Sequence, residues 1–309
     1  MSIGIDPSAL TNCTVETCDI LSSFYNYRIE LGPNVAFLTL FSIAVPWFVG
    51  IWLVTRRAAW FTITMLLGLA AEIIGYAGRI ISYENQWSQN GFLIMAISLT
   101  LGPTFFSAAI YLCLAQIVIV YGPENSRLAP SMYTKIFIPC DIVAILLQAT
   151  GGAMGAVALV GGQDLQNSDN VITAGLSSQV FTLFLFMILC IEFGIRVRRR
   201  RQQQGNEAAL SQEPHLVAVR TSKWFVGFLS AVGLATVLVF WRCCFRVAEL
   251  NQGFMGPVTF RQDLFVGFEG ILMILVVALL AIFHPALCIG EAITEKSAVS
   301  RQTHQHLTF

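Results

Sequence analysis

Seven long apolar stretches run through this chain of 309 residues, and they constrain its fold more than any other feature. They lie near residues 34–54, 59–80, 91–120, 133–160, 171–195, 223–241 and 265–289. A helix needs about 20 mostly apolar residues to cross the hydrocarbon core of a bilayer. Backbone groups inside lipid must bond within their own segment, so these stretches predict helices. We therefore expect an all-α integral membrane protein with a seven-transmembrane-helix bundle over residues 34–289.

Composition excludes a soluble globular fold. Hydrophobic residues make up 56% of the chain and charged residues only 12%, whereas a soluble domain carries about 25% charged residues. The short alternating segments of a membrane β-barrel are also absent from the sequence. A helical bundle in lipid is the remaining fold class.

The distribution of Lys and Arg predicts the orientation of the bundle. With the N-terminus outside, the outer segments hold five of the 18 basic residues and the inner segments hold thirteen. Cytoplasmic segments are enriched in Lys and Arg, so we expect residues 1–33 to be extracellular or lumenal and residues 290–309 to be cytosolic. The plasma membrane is the expected location, with an endomembrane or the vacuole as the alternative.

Two features of the N-terminal tail agree with this orientation. Asn12 begins an N-x-T sequon, which is glycosylated only on the lumenal side. Cys13 and Cys18 lie in the same tail and could form a disulfide in an oxidising compartment. At the opposite side, Arg196–Arg201 opens what we expect to be a flexible cytosolic loop, acting as a stop-transfer signal or meeting anionic lipids of the inner leaflet.

Ionisable side chains within the apolar stretches are few and patterned. Each costs roughly 2.5–3.5 kcal/mol on insertion scales, so they tend to mark function. Helical spacing places one group on the second span, one on the sixth and one acid on the seventh: Glu72, Tyr76 and Arg79; Arg242, Arg246 and Glu249; and Glu269. We expect these charges at one level near the outer surface. They form either an interfacial belt of salt bridges or a polar vestibule for a charged headgroup.

Three further polar residues lie within the spans. Asp141 is the most deeply placed acid, and Gln148 follows it on the same face of the fourth span. Asp141 is either a paired structural residue or a site for a proton or a headgroup. His284 closes the seventh span at its inner end, where a structural role is the simpler interpretation.

Several function classes lack the residues they require. Only one of the four histidines lies in a span, so a histidine-rich zinc site of a membrane hydrolase cannot be built, and the seventh span has no lysine for a retinal Schiff base. No Walker or GxSxG motif occurs. We therefore expect no enzyme, metal or cofactor, and transport that is passive or driven by a gradient. A seven-helix receptor is the alternative, although D-R-Y does not follow the third span and N-P-x-x-Y does not close the seventh.

Six motifs in order resemble the fungal lipid-translocating exporters, the RTA-like proteins. They are E-I-I-G-Y-A-G-R at 72–79, L-G-P-T-F-F-S-A-A-I-Y at 101–111, D-I-V-A-I-L-L-Q-A-T-G-G at 141–152, G-L-S-S-Q at 175–179, R-C-C-F-R-V-A-E at 242–249, and F-E-G at 268–270 with H-P at 284–285. Ala286 stands where the family would have Gly. The resemblance implies a seven-helix protein with an outer N-terminus that exports or flips sphingoid long-chain bases, gives resistance to toxic amphiphiles or, in one branch, moves porphyrins.

The combined prediction is an amphiphile translocator whose partners are membrane lipids and amphiphilic small molecules. Its candidate substrate pathway consists of Glu72, Tyr76, Arg79, Asp141, Gln148, Gln179, Arg242, Arg246, Glu249, Glu269 and His284.

Overall fold

Seven helices of the computed structural model are long and apolar enough to cross a membrane, which confirms the predicted fold class. The structure describes residues 13, 17–161, 163–210, 212–251 and 261–290; Asn12 and the tail after residue 290 lie outside them. The spans are α1 (Leu31–Thr55), α2 (Ala59–Glu84), α3 (Gln89–Tyr121), α4 (Pro130–Gly161), α5 (Gln166–Ala209), α7 (Lys223–Leu250) and α8 (Gln262–Cys288). A short helix, α6 (Pro214–Thr221), precedes α7.

The bundle buries charged side chains together with an apolar core and exposes large apolar side chains on its surface. Arg79 and Arg242 are among the largest fully buried side chains, while Trp60 and Val157 are 73% and 69% exposed. Lipid is the solvent for such a surface, since an exposed isoleucine or leucine costs nothing there and an exposed charge costs several kcal/mol. The arrangement fixes where chemistry is available: along the axis of the bundle.

The central helix of the bundle is α3. Residues along its whole length are buried, and α2, α4 and α7 pack around it. Pro103 lies inside α3 without ending it. Several of the buried polar groups therefore contact α3.

The small residues of α4 form a packing seam with α5. A Cβ added at Gly151 would lie 2.8 Å from the backbone nitrogen of Ile172, and Ser168 donates a hydrogen bond of 2.7 Å to the Gly151 carbonyl. A Cβ at Gly155 would meet the Ser168 hydroxyl at 2.5 Å. Gly151 and Gly155 have the GxxxG spacing, and together they let the two helices approach closely.

The segment before α1 packs onto one end of the bundle. Phe24, Tyr25 and Ile29 are buried there, and the Tyr25 hydroxyl donates to Ser82 of α2 at 3.0 Å. Burial raises the pKa of Tyr25 to about 12, with the Arg79 guanidinium acting in the opposite direction. A disulfide joins Cys13 to Cys18, with their Cα atoms 5.4 Å apart.

The basic segment after the fifth span is helical, and the expectation of a flexible loop is wrong for it. Helix α5 continues through Arg196–Arg201, and its 44 residues make it about 66 Å long. Arg200 donates to the Glu124 carbonyl at 3.0 Å and to Asn125 Oδ1 at 3.1 Å, which ties α5 to the turn after α3. The helix is interrupted only at Gly205, where φ is 79°.

Candidate functional site

Polar side chains from five helices are arranged along α3 like steps. Their partners on α3 run from Met95 to Tyr111, which is about 24 Å of helix. In order from the N-terminal end of α3, these are Met95 for Arg79, Leu99 for Arg242, Thr100 for Arg246, Gly102 for Glu72, Thr104 for Gln179 and Tyr111 for Asp141. We call these side chains, together with Gln148, Glu249 and Glu269 of α8, which bond to them, the α3 polar ladder.

The strongest pair of the ladder joins α7 to α8. Arg242 donates from Nε to Glu269 Oε2 at 2.8 Å and from Nη2 to Glu269 Oε1 at 2.9 Å. The side chains are 0% and 1% exposed. Glu269 lies in a π-helical segment, Val266–Ile271, and such wider turns occur often at functional sites. Arg242 Nη2 also donates to the Leu99 carbonyl at 2.6 Å, so the pair holds α3, α7 and α8 together.

A second pair lies one turn away on α7. Arg246 Nη1 and Glu249 Oε2 are 2.6 Å apart, and Arg246 Nε lies 3.2 Å from Glu269 Oε1. Arg246 Nη2 also donates to Thr100 at 3.4 Å. Glu269 is thus shared by two arginines, and the four charges form one buried network.

Arg79 is held by aromatic rings instead of an acid. Its guanidinium carbon lies 3.7 Å from the ring centroid of Phe265 and 5.5 Å from that of Tyr25. Arg79 Nη2 donates to the Tyr27 hydroxyl at 2.6 Å, and Nη1 contacts the Met95 sulfur at 3.4 Å. A cation over an aromatic face is attracted by the ring quadrupole, so the N-terminal segment closes over this charge.

Glu72 is fully buried, and neither of its carboxylate oxygens has a hydrogen-bond partner among the described residues. A Cβ added at Gly102 would meet Glu72 Oε1 at 2.4 Å, so glycine at this position of α3 lets the carboxyl group lie there without shifting. Tyr76, one turn further along α2, is also buried, and its hydroxyl has no partner in the same part of the chain. The nearest charges to Glu72 belong to Glu269 and Arg242.

Asp141 resembles Glu72, since neither of its carboxylate oxygens has a hydrogen-bond partner with regular geometry among the described residues. Its side chain is 2% exposed and lies beside the buried Tyr111 side chain of α3. The amides of the ladder lie between the two acids: Gln148 donates to Gln179 at 3.1 Å, and Gln179 donates to Thr104 at 3.0 Å. Gln148 Oε1 has no hydrogen-bond donor among the described residues, so it can still accept a hydrogen bond between the two acids.

His284 lies apart from the ladder. Its Nδ1 accepts a hydrogen bond of 3.1 Å from the backbone of Ala286, which caps the last turn of α8. Its ring packs edge-on against Phe61 with centroids 5.0 Å apart and lies 5.7 Å from Phe48. The geometry is that of a structural cap in an aromatic cluster.

The structure corrects two expectations about these charges. They do not share one level: Arg242, Arg246, Glu249 and Glu269 meet, whereas Arg79 and Glu72 contact α3 on either side of them. Glu72 also does not join the expected belt of salt bridges, since its carboxyl has no hydrogen-bond partner among the described residues.

Sequence reasoning also missed several contributors to the ladder. The tyrosines that cover Arg79 lie in an aromatic run, F-Y-N-Y at 24–27, and such a run in a polar tail was the available signal. Thr104 and Tyr111 were contained in a quoted motif but were given no role. Among the described residues, three or more His, Cys, Asp or Glu side chains nowhere converge as metal ligands.

Comparison with known proteins identifies the family. The family model described as "RTA1 like protein" matches residues 65–292, which include nearly all of the ladder. The chain belongs to the RTA1-like family. The matched region begins within α2 and ends just past α8, so it covers six of the seven spans.

Relatives of this RTA1-like chain occur in Saccharomyces cerevisiae. It is 32% identical to the sphingoid long-chain base transporter RSB1 of strain Lalvin EC1118 over 248 residues, which cover 74% of this chain and 65% of the relative. It is 25% identical to Protein RTA1 over 90% of both chains, and 26% identical to Protein RTM1 over 84% of this chain and 72% of that one. The chain thus matches slightly less than two thirds of the length of RSB1. No solved structure matches it.

These relatives do not favour the receptor alternative. The one named for its activity is a transporter, and none of the three is named as a receptor or an enzyme. Membership of the RTA1-like family therefore agrees with a role at lipids or amphiphiles.

Proposed function

We propose that this protein moves cationic amphiphiles, of which sphingoid long-chain bases are the model class, from one leaflet of a membrane to the other. The headgroup follows the α3 polar ladder while the hydrocarbon tail stays in lipid. The observation that carries the proposal is a pair of buried carboxyl groups, Glu72 and Asp141, whose oxygens lack hydrogen-bond partners within the described part of the chain. The name of the relative RSB1 supports the choice of substrate class.

The chemistry of the ladder favours a cation over an anion. A buried carboxylate without a partner costs several kcal/mol, because the low dielectric of the interior replaces water. An ammonium group brings a charge and three donors, and the four oxygens of Glu72 and Asp141, which have no partner among the described residues, can accept them. Arg242 and Arg246 cannot serve an anion as readily, since both are already bonded to acids.

The two carboxyl groups are far enough apart to bind a headgroup one after the other. Their contacts on α3, Gly102 and Tyr111, are nine residues apart, or about 14 Å along the helix axis. The amides of Gln148 and Gln179 occupy the interval and offer hydrogen bonds to a hydroxylated headgroup. A headgroup moving along α3 would thus leave one acid, contact amides, and reach the second acid.

The test is movement of a fluorescent long-chain base across liposomes that contain only this protein. Glu72→Gln and Asp141→Asn remove the charges and keep the shapes, so both should lower the rate per folded molecule by tenfold or more. Glu84→Gln is the matched control, since Glu84 is an exposed acid at the end of the same helix α2. Full activity of both ladder variants would overturn the acidic pathway.

We further propose that the N-terminus faces the outside of the plasma membrane, that Asn12 carries a glycan, and that resistance to toxic amphiphiles follows from their export. The excess of basic residues on the opposite side supports this topology. In a fungal host, glycosidase treatment should shift the wild-type band and leave Asn12→Gln unshifted. Cleavage of the 196–220 region by external protease on intact cells would contradict the orientation.

A further inference from the structure

A second cavity lies between α3, α5 and α7, away from the acids of the ladder. Its volume is about 920 Å³. Its floor includes Leu114, Ile117 and Phe186, which are buried. Its edges include Ile191, Leu229 and Val237, which are 60%, 38% and 43% exposed, so the cavity is a cleft that opens sideways. In a membrane this opening faces acyl chains, and we call it the α5–α7 cleft.

Two glycines keep the cleft open. Gly194 of α5 and Gly233 of α7 both line it, and a Cβ built at either one would have nothing within 4 Å. Glycine in the middle of a helix costs roughly 0.5–1 kcal/mol relative to alanine. These two glycines are not needed for helix packing, in contrast to Gly151 of α4, whose Cβ would collide with backbone. The space they leave is therefore available to something outside the chain.

Charge distinguishes one end of the cleft. Arg198, Arg201 and Gln202 line it there, and neither Asp nor Glu appears among its described lining residues. Val197 is the last apolar residue of α5 before these arginines, which stand about 1.5 and 6 Å beyond it along the helix. The two headgroup regions together make up the difference between about 30 Å of hydrocarbon and 40–45 Å of whole bilayer. The arginines therefore lie at a distance that matches the headgroup region of one leaflet.

The electrostatic surroundings of this basic end of the cleft are positive. Burial is the main cause that lowers the pKa of Arg220, and the like charge of Arg201 lowers it further. Arg220 itself donates to the Val120 carbonyl at 3.2 Å, beside the end of α3 that forms one wall. The acid nearest along α5, Glu192, is bonded to Arg127 and Arg196 at 2.6 and 2.7 Å.

We propose that the α5–α7 cleft binds an anionic glycerophospholipid from the leaflet on the basic side, with an acyl chain in the cleft and the phosphate at Arg198 and Arg201. The apolar lining of α5 runs from Val197 to Phe186, about 17 Å along the helix, and accepts hydrocarbon. The arginines repel a cationic headgroup and attract a phosphate, so the occupant differs in charge from the amphiphile of the α3 polar ladder. This site does not depend on the proposed transport function.

The test measures lipid binding to the purified full-length protein by native mass spectrometry, with phosphatidylserine and phosphatidylcholine as probes. Wild type should retain phosphatidylserine preferentially. Arg198→Gln with Arg201→Gln should weaken that binding roughly tenfold or more, since each basic residue near an anionic surface contributes to the attraction. The matched control is Arg199→Gln with Lys135→Gln, which removes two exposed charges from the same side outside the cleft.

A second pair of variants tests the hydrocarbon part of the site. Gly194→Leu with Gly233→Leu should fill the cleft without a protein clash and lower binding of phosphatidylserine while the protein stays folded. Gly50→Leu is the control, because Gly50 of α1 also has nothing within 4 Å and lies outside the cleft. Equal binding of both lipids, equal loss in the control pairs, or unchanged binding in the filled cleft would overturn the proposal.

Discussion

Replacing Glu269 with glutamine should destabilise the bundle more than any other single neutralisation in the ladder. Glu269 is 1% exposed and lies within 2.9 Å of Arg242 through both carboxylate oxygens. It is also 3.2 Å from Arg246. Removing its charge leaves two buried guanidinium groups with less compensation. Breaking a buried ion pair from one side costs about 3–5 kcal/mol, and we expect a loss in that range.

The comparison variant is Glu72→Gln. Glu72 is as deeply buried as Glu269, yet its oxygens have no hydrogen-bond partner among the described residues. Glutamine keeps its size beside Gly102 and removes a charge that nothing compensates, so the free energy of unfolding should change by less than about 1 kcal/mol or rise. The effects of these two isosteric substitutions on the free energy of unfolding should therefore differ by several kcal/mol, although both residues are equally buried.

The assay is thermal unfolding of each purified variant in one detergent, with the folded fraction followed by size-exclusion chromatography. A third variant, Arg242→Met with Glu269→Leu, removes both charges and should recover most of the stability lost in Glu269→Gln, because no lone charge remains. Equal melting temperatures for Glu269→Gln and Glu72→Gln would refute the reasoning, since the pair would then carry no more of the fold than an unpartnered acid.

Two further substitutions test the packing around the ladder. Tyr27→Phe removes the hydroxyl that lies 2.6 Å from Arg79 and should lower the free energy of unfolding by about 1.5–3 kcal/mol, as expected for a bond to a charged group and measurable by thermal unfolding. Gly151→Ala should destabilise the protein, because its Cβ would lie 2.8 Å from backbone, whereas Gly152→Ala, with its nearest atom at 3.8 Å, should be neutral or stabilising in the same assay.

The seven spans could be predicted from the sequence because lipid imposes a length and a polarity on every segment that crosses it. The same rule pointed to the buried charges, since each is expensive enough to stand out in an apolar stretch. Pairing could not be predicted this way. Glu249 follows Arg242 at a helical spacing, yet Arg242 binds Glu269 of α8, because the packing of α7 against α8 decides which acid is within reach.

The misjudged segments share a different cause. Arg196–Arg201 was interpreted as a loop from its charge, although arginine and glutamine are good helix formers and nothing in the run breaks a helix before Gly205. The cover over Arg79 comes from Tyr25 and Tyr27 of the tail, where no periodic pattern predicts structure. Helix propensity indicates the first of these structures and aromatic content indicates the second, whereas hydropathy alone indicates neither.

The balance of buried charge connects these observations to function. The described interior holds four acids and three bases along α3: Glu72, Asp141, Glu249 and Glu269 against Arg79, Arg242 and Arg246. Two acids are matched by two arginines, and the third arginine is stabilised by aromatic rings. A bundle that needed only stability would replace the remaining acids with apolar residues, since a buried charge without a partner is a net cost. The presence of these two acids along one helix is explained if a cation from outside the chain neutralises first one and then the other. This is the reason for testing Glu72 and Asp141 together.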